Sequence, residues 1–332
     1  MTAAAWRARA GRWLRRTLAV AALLPAGLVW ASPAPADCPP AARMPTQAEL
    51  RTLQREARDR GVLWRIEHEG RTSWLYGTVH MARMGWSVPG PTVMAALRAS
   101  DSLALELNLL DPAVAQALQQ GLRARPDAAP LPEDLQRRLA AQSRAACAGP
   151  ELAALRPDAQ VMTLLAMAGR REGLDPAYGI DLSLAGVATA LGKPVLGLET
   201  PERQLRELVS DDPARIIRSV TSGLEQLERG SASSMLSSIA QSWADGRLNL
   251  LESLPEWCNC VQTRAERADY ARSIDGRNPG IAQAMAQQMR AGRSIFAAVG
   301  ALHMVGPQGL PALLQARGFR LQRVALPPPG TP

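Results

Sequence analysis

Lysine, phenylalanine and histidine are scarce in this chain of 332 residues, which contains one lysine, two phenylalanines and three histidines. Several motifs are absent altogether: the sequence has no GxSxG elbow, no HExxH motif, no P-loop and no Rossmann glycine pattern. These absences argue against an α/β-hydrolase serine enzyme, a zincin protease, a P-loop nucleotidase and a dinucleotide-dependent oxidoreductase. Because histidine is so rare, the position of each one is informative.

An apolar stretch long enough to span a membrane is also lacking. The first 36 residues combine five arginines, no acidic residue, an apolar run from Leu18 to Trp30 and a small-residue sequence that ends at Ala36. This pattern predicts a secretory signal peptide cleaved after Ala36, because the apolar run is shorter than the ~20 residues of a spanning helix. We therefore expect an exported protein, periplasmic or secreted, with no stable membrane span.

The positive charge of the chain does not indicate a nucleic-acid partner. The formal net charge is +8, and removal of the five leader arginines leaves only about +3 on the mature chain. We expect residues 37–60 to form an N-terminal extension, residues 61–326 to form one domain, and residues 327–332 to form a disordered tail. The sequence does not indicate an oligomeric state.

Four cysteines in an exported chain predict two disulfides. They are Cys38, Cys147, Cys258 and Cys260, which allow three pairings. A zinc site is the alternative, but it fits poorly because the CxC pair has no histidine nearby.

Two of the three histidines occupy the same setting. WLYGTVHM ends at Met81 and AAVGALHM ends at Met304, so that each apolar run is followed by GxxHM. In both places the predicted order is strand, GxxHM, loop, helix, strand, which suggests an internal duplication. We expect an α/β fold in which a central β-sheet is flanked by helices, with these pseudo-duplicated units and with helical insertions over Pro112 to Pro176 and Pro201 to Arg290.

Histidines and glutamates follow the predicted strands. His80 and His303 end the GxxH motifs, and neutral imidazole is the commonest metal ligand and the usual acid–base group near pH 7. Glu106 lies in LALELNLL, where an unpaired buried carboxylate would be costly, and Glu199 lies in VLGLET. Since ligands gather beyond the carboxyl ends of strands in open α/β sheets, these four residues are expected to converge. The alternative for the two histidines is that they are core residues kept by the symmetry of the two units. The alternative for each glutamate is a structural salt bridge.

Four other polar residues have simpler structural interpretations beside any functional one. Arg277 and Asn278, in DGRNPGIA, stand where a loop enters a helix, so they could orient a substrate carbonyl or a metal-bound carboxylate, or Asn278 could cap the helix. Asp181, in GID, is interpreted as the N-cap of a helix that begins near Leu182. His68, among charged neighbours in a predicted hairpin, is expected to be solvated.

The motifs YGTVHM, LALELN, GLETPERQ, RNPGIA and AVGALHMVGPQGLPALL, in this order and spacing, resemble those of the TraB/GumN family. That family includes the bacterial plasmid-pheromone shutdown proteins and the animal Tiki proteins. The resemblance extends from Val62 to about Val324 and is strongest to the exported proteobacterial branch. It implies an α/β fold distantly related to erythromycin-esterase-like and ChaN-like proteins, and a metal-dependent peptidase activity.

The family signature also assigns residues in this chain. Leu302 stands where many relatives have glycine, which gives GALH instead of GAGH and could narrow the pocket. The matched positions are Gly77, His80, Glu106, Gly300 and His303, with Glu199, Arg277 and Asn278 as further motif positions.

The leading functional hypothesis is an exported metal-dependent hydrolase that cleaves peptides or other small-molecule substrates. His80, His303 and Glu106 would bind a divalent ion, which could be manganese, zinc or cobalt. Glu106, Glu199, Arg277 and Asn278 are the other expected catalytic positions, with Glu199 either completing the ion's ligands or acting as a base. Two alternatives remain: a metal-free hydrolase with a histidine base oriented by Glu106, and a binding protein that sequesters a peptide, haem or an iron species without turnover.

Overall fold

A six-stranded sheet forms the centre of the protein. The computed structural model describes residues 37–258 and 260–327, so the predicted signal peptide and nearly all of the predicted tail lie outside the described residues. The strand order is β4-β3-β5-β2-β1-β6. Strand β1 is antiparallel to both its neighbours, and the remaining pairs are parallel. The strands are β1 (Val62–His68), β2 (Arg71–Thr78), β3 (Ser102–Leu105), β4 (Val195–Gly197), β5 (Ile295–Gly300) and β6 (Arg320–Val324).

The first two strands form the predicted hairpin. Glu69 and Gly70 both have positive φ, which supplies the tight turn between the strands. His68, at the end of β1, is not solvated as predicted. Its ring centroid lies 4.6 Å from that of Phe319, and only 23% of its side chain is exposed. The sequence interpretation was wrong because the covering aromatic ring comes from the far end of the chain.

Helices pack on both faces of the sheet. Because successive side chains of a strand point to opposite faces, alternate residues of each strand belong to different cores. In β5, Phe296 and Ala298 face one apolar core, and Ile295, Ala297 and Val299 face the other. No described helix is both long and apolar enough to cross a membrane. The helices in contact with the first face include α2 (Pro91–Ala99), α7 (Ile180–Ala190) and α10 (Ser231–Ala244), and those in contact with the second include α14 (Asn278–Arg290) and α15 (Leu310–Ala316).

The predicted helical insertions form most of the rest of the structure. Leu135, Leu152, Leu164 and Leu224 belong to a separate apolar core that joins four helices away from the sheet. The remaining helices are α1 (Gln47–Arg55), α3 (Pro112–Leu122), α4 (Glu133–Ala145), α5 (Pro150–Ala153), α6 (Pro157–Met167), α8 (Pro201–Leu208), α9 (Pro213–Glu228), α11 (Leu248–Glu252), α12 (Leu254–Trp257) and α13 (Arg264–Ser273).

The two GxxH units follow different courses through the sheet. The first runs from β2 through α2 to β3, which lies on the far side of β5. The second runs from β5 through α15 to β6, which lies at the sheet edge beyond β1. The shared order of elements is therefore present, while the internal duplication itself stays a hypothesis.

The four cysteines pair as Cys38–Cys147 and Cys258–Cys260. This pairing confirms the prediction of two disulfides and selects one of the three possible connectivities. The first bond ties the N-terminal extension to the chain just after α4, and the second closes a short loop after α12.

Gly77, the glycine of the first GxxH motif, stands in a crowded position. A Cβ added there would lie 2.7 Å from Val62 Cγ2 and 3.3 Å from Ala301 Cα. We expect Gly77→Ala to lower the free energy of unfolding by about 1–3 kcal/mol, because neighbouring strands would have to separate. Gly85→Ala is the control, since a Cβ there has no atom within 4 Å. Denaturant unfolding of both variants measures the effect, and equal stabilities would contradict the packing argument.

Candidate active site

The parallel strands bring the predicted site residues to one edge of the sheet. Thr78 pairs with Gly300, and Leu105 pairs with both Ala298 and Gly197, so four neighbouring strands end within two residues of one another. The segments that follow these strands therefore leave the sheet side by side. They carry the two GxxH histidines and the two glutamates: His80, Glu106, Glu199 and His303.

Arg277 lies among these residues and bonds to three of them. Its Nε is 3.2 and 3.1 Å from the two carboxylate oxygens of Glu199, and its Nη2 donates to both Glu199 and Glu106. Its Nη1 is 3.3 Å from His303 Nε2. Burial alone would lower the pKa of Arg277, but the two carboxylates outweigh it and raise that pKa. The guanidinium is thus a fixed positive charge at the centre of the site.

Glu106 is a buried and ionised carboxylate. Its Oε1 accepts a hydrogen bond of 2.8 Å from the backbone N–H of Gly300, and its Oε2 accepts one of 3.3 Å from Gln204 Nε2. Burial raises the pKa of Glu106, but His80, His303 and Arg277 lower it further, to about 2. Gln204 is a site residue to which the sequence analysis assigned no role, since its position in the amphipathic start of α8 gives no signal.

A buried asparagine holds the second GxxH histidine. His303 Nδ1 is 2.6 Å from Asn278 Oδ1, and Asn278 Nδ2 donates to the carbonyl of Gln308 over 2.8 Å. Because the Asn278 amide thus turns its oxygen to the ring, Nδ1 of His303 carries the proton and Nε2 accepts from Arg277. Burial lowers the pKa of His303 to about 4, so the ring is neutral near pH 7. The capping interpretation of Asn278 was wrong, since this residue is the first of α14 and bonds to His303.

The first GxxH histidine is exposed and bonds to a carboxylate. His80 has 60% of its side chain exposed, and its Nδ1 lies 2.9 Å from Asp181 Oδ2. Thr78 Oγ1 donates to the other oxygen of Asp181 over 2.7 Å. The negative charge of Asp181 is the main cause that raises the pKa of His80 to about 9. The other ring nitrogen, Nε2, lies 3.9 Å from Glu106 Oε1.

Asp181 is therefore a site residue, and its interpretation as an N-cap was wrong. The N-cap of α7 is Gly179, and Asp181 is the second residue of the helix. An aspartate just before an apolar helical run is the usual signal of a cap, so the sequence offered no means of separating the two roles. Only the contact with His80, 101 residues away in the chain, distinguishes them.

Gly300, the glycine of the second GxxH motif, lies between the reactive groups. A Cβ added at Gly300 would lie 3.3 Å from Glu106 Oε1, 3.6 Å from His303 Cδ2 and 3.7 Å from His80 Nε2. These three groups thus surround one small space next to the backbone. A side chain at this position would intrude on the space where a substrate or ion would meet them.

The donors around this space suit a divalent ion in part. Imidazole nitrogen and carboxylate oxygen together suit zinc, manganese or cobalt. Because the pKa of His80 is about 9, its Nε2 offers a lone pair to an ion only when the ring gives up its second proton. The Nε2 atom of His303, by contrast, accepts a hydrogen bond from Arg277. As placed, no three histidine, cysteine, aspartate or glutamate side chains of the described residues form a ready metal-binding group. An ion bound to His303 would have to replace the Arg277 hydrogen bond.

The ionised state of Glu106 predicts a pH-dependent contribution to stability. Its pKa of about 2 in the folded protein lies below the ordinary glutamate pKa of 4.5, so its contribution is present above pH 4.5 and is lost as the pH falls toward 2. We expect the free energy of unfolding to decrease more steeply from pH 6 to pH 3 in the wild type than in Glu106→Gln. Denaturant titrations across this range measure it, and parallel curves would contradict the assignment of charge.

A comparison of the sequence with models of protein families identifies the same family as the motifs of this site do. The model of the TraB/PrgY/gumN family matches residues 62–323, a span that begins with β1 and includes every residue of the candidate site. No curated protein and no solved structure gives a significant match. Since the family model covers most of the chain, the chain belongs to the TraB/PrgY/gumN family.

Proposed function

We propose that the protein is a hydrolase that cleaves peptide bonds at the cluster around His80, with the help of a divalent ion. The observation that carries this proposal is the orientation of the two imidazoles. Each has its Nδ1 engaged by a fixed partner, Asp181 for His80 and Asn278 for His303, which leaves Nε2 for the site. Histidines that ligate metals have this arrangement almost without exception.

The ion would be held by His80 Nε2, His303 Nε2 and Glu106. When bound, it would polarise the scissile carbonyl and lower the pKa of a water molecule toward ~7. Manganese, zinc and cobalt all suit this set of ligands. Glu199, which is joined to Glu106 through Arg277, keeps a second carboxylate near the ligands and is the candidate base.

The choice of a peptide substrate rests on the family, which includes the Tiki proteins, and the exposure of His80 indicates the side from which the substrate would enter. With 60% of its side chain exposed, His80 is the member of the site that solvent and substrate reach most easily. His303 and Glu106, by contrast, are buried. A substrate would therefore approach from the side of His80 and meet the buried residues behind it.

A metal-free hydrolase is the second candidate, and the position of Arg277 favours it. The guanidinium already donates hydrogen bonds to Glu106, Glu199 and His303. These are the side chains that an ion would need as ligands. In this case the neutral form of His80, which predominates above a pH of about 9, would accept a proton at Nε2 from the attacking water, and Asp181 would stabilise the resulting imidazolium. In this alternative Asp181, and not Glu106 as expected from the sequence, is the carboxylate that orients the histidine base.

Hydrolysis of a peptide library by the mature protein, with and without a chelator, tests the proposal. We expect turnover that a chelator removes and that added manganese, zinc or cobalt restores. Turnover that resists the chelator would support the metal-free candidate and overturn the ion-dependent one. Stoichiometric peptide binding without product would overturn both and favour the binding protein. His68→Ala serves as the control variant because His68 is the remaining histidine of the chain.

A further inference from the structure

We infer that Asp181, supported by Thr78, is the positioning residue that decides which ring nitrogen of His80 faces the substrate. This inference rests on the proposed function for its catalytic meaning, since it assigns a role within that same site. The arrangement itself is a property of the folded chain, so it is measurable without any substrate.

Both oxygens of the Asp181 carboxylate are engaged. Oδ2 lies 2.9 Å from His80 Nδ1, and Oδ1 accepts the hydroxyl hydrogen bond of Thr78 over 2.7 Å. A carboxylate held at both oxygens does not rotate freely, so it presents one lone pair to the ring in a fixed direction.

The partners of this carboxylate sit on rigid elements. Thr78 is the last residue of β2 and is 1% exposed, while Asp181 lies in the first turn of α7. The positive end of the helix dipole also favours a negative charge at that turn. His80 follows β2 by two residues, so a strand and a helix together fix its ring.

A carboxylate accepts hydrogen bonds and does not donate them, so the neutral ring of His80 must carry its proton on Nδ1. The lone pair is then on Nε2, which lies 3.9 Å from Glu106 Oε1. Without Asp181, nothing in the described contacts would hold this exposed ring in one tautomer. The lone pair at Nε2 is what either proposed route requires, whether it binds an ion or accepts a proton.

The two GxxH histidines are consequently not equivalent, although their motifs match. His80 is exposed and has an anionic partner, whereas His303 is 3% exposed and has a neutral amide partner in Asn278. An anionic partner makes an imidazole a stronger base and a stronger ligand than a neutral one does. The reactive histidine of the pair is therefore His80, and His303 is the neutral, fixed one.

The direct test is the tautomer of His80, read from the ¹⁵N chemical shifts of its ring nitrogens at a pH at which the ring is neutral. We expect a single Nδ1–H tautomer in the wild type and in Thr78→Ser. In Asp181→Ala we expect a mixture that contains the Nε2–H form, and in Thr78→Val a partial shift toward it. His68 and His303 provide internal references in the same spectra. An unchanged tautomer in folded Asp181→Ala, or an Nε2–H form in the wild type, would overturn the inference.

Hydrolysis kinetics provide the second readout. We expect Asp181→Ala to lower kcat by about 10²–10⁴-fold with little change in KM, since the ring would lose its orientation and not its contact with substrate. Asp245→Ala is the matched control, because Asp245 is similarly exposed and pairs with Arg247 away from His80. If the tautomer shifts but no hydrolysis is found in any variant, the proposed function fails while the positioning role stands.

Discussion

Replacement of His80 by alanine is expected to reduce kcat/KM for hydrolysis by about 10²–10⁴-fold. The loss follows because Nε2 of this ring is the exposed reactive nitrogen of the site in both proposed routes. The fold should survive, since 60% of the side chain is already exposed and its removal leaves no buried cavity. Peptide hydrolysis and circular dichroism of the same preparation measure the two expectations together.

His68→Ala separates a specific effect from the general loss of a histidine. His68 lies on β1 against Phe319 and has no contact with the site, so its loss should leave kcat/KM unchanged within about threefold. A folded His80→Ala variant with the same kcat/KM as His68→Ala would contradict the assignment of the active site.

Replacement of Arg277 by glutamine is expected to raise the affinity for a divalent ion by about tenfold or more. Two unit charges about 4 Å apart interact by about 4 kcal/mol at an effective dielectric constant near 20, and an ion beside the guanidinium is opposed by at least that order of energy. The substitution also frees His303 Nε2 and leaves Glu106 and Glu199 without their cation. Isothermal titration with manganese, zinc and cobalt measures the change.

The same variant should be less stable without an ion. Two buried carboxylates that lose their partner cost about 3–5 kcal/mol, so Arg277→Gln should unfold more easily and should gain more in Tm from an added ion than the wild type does. Arg272→Gln is the control, because Arg272 pairs with Glu207 and Asp269 outside the site. Equal or weaker ion affinity in Arg277→Gln would show that the guanidinium does not compete with an ion.

The edge of the sheet at which the site lies was predictable from the sequence. Strand-like runs before both GxxH motifs and before Glu106 and Glu199 placed each of these residues at the end of a predicted strand. The rule that functional groups gather at the carboxyl ends of parallel strands then brought them together. The paired register of β2 with β5 explains why two motifs more than two hundred residues apart meet.

The hydrogen-bond network of the site was not predictable, because its partners are distant in sequence and each has a local explanation. Asp181 matched the pattern of a helix cap, as did Asn278, yet they bond to His80 and His303. Arg277 was recognised as a site position, but its simultaneous contact with Glu106, 171 residues away, depends on how α14 packs against the sheet. Local patterns carry no information about such contacts.

The central claim is that the two GxxH histidines hold a divalent ion, and ion binding tests it most directly. Titration calorimetry with manganese, zinc and cobalt is carried out on four proteins under the same conditions: the wild type, His80→Ala, His303→Gln and His68→Ala. The account predicts one ion per chain in the wild type and in His68→Ala, and its loss in both GxxH variants. Failure of the folded wild type to bind any of the three ions, or equal affinity in all four proteins, would contradict it.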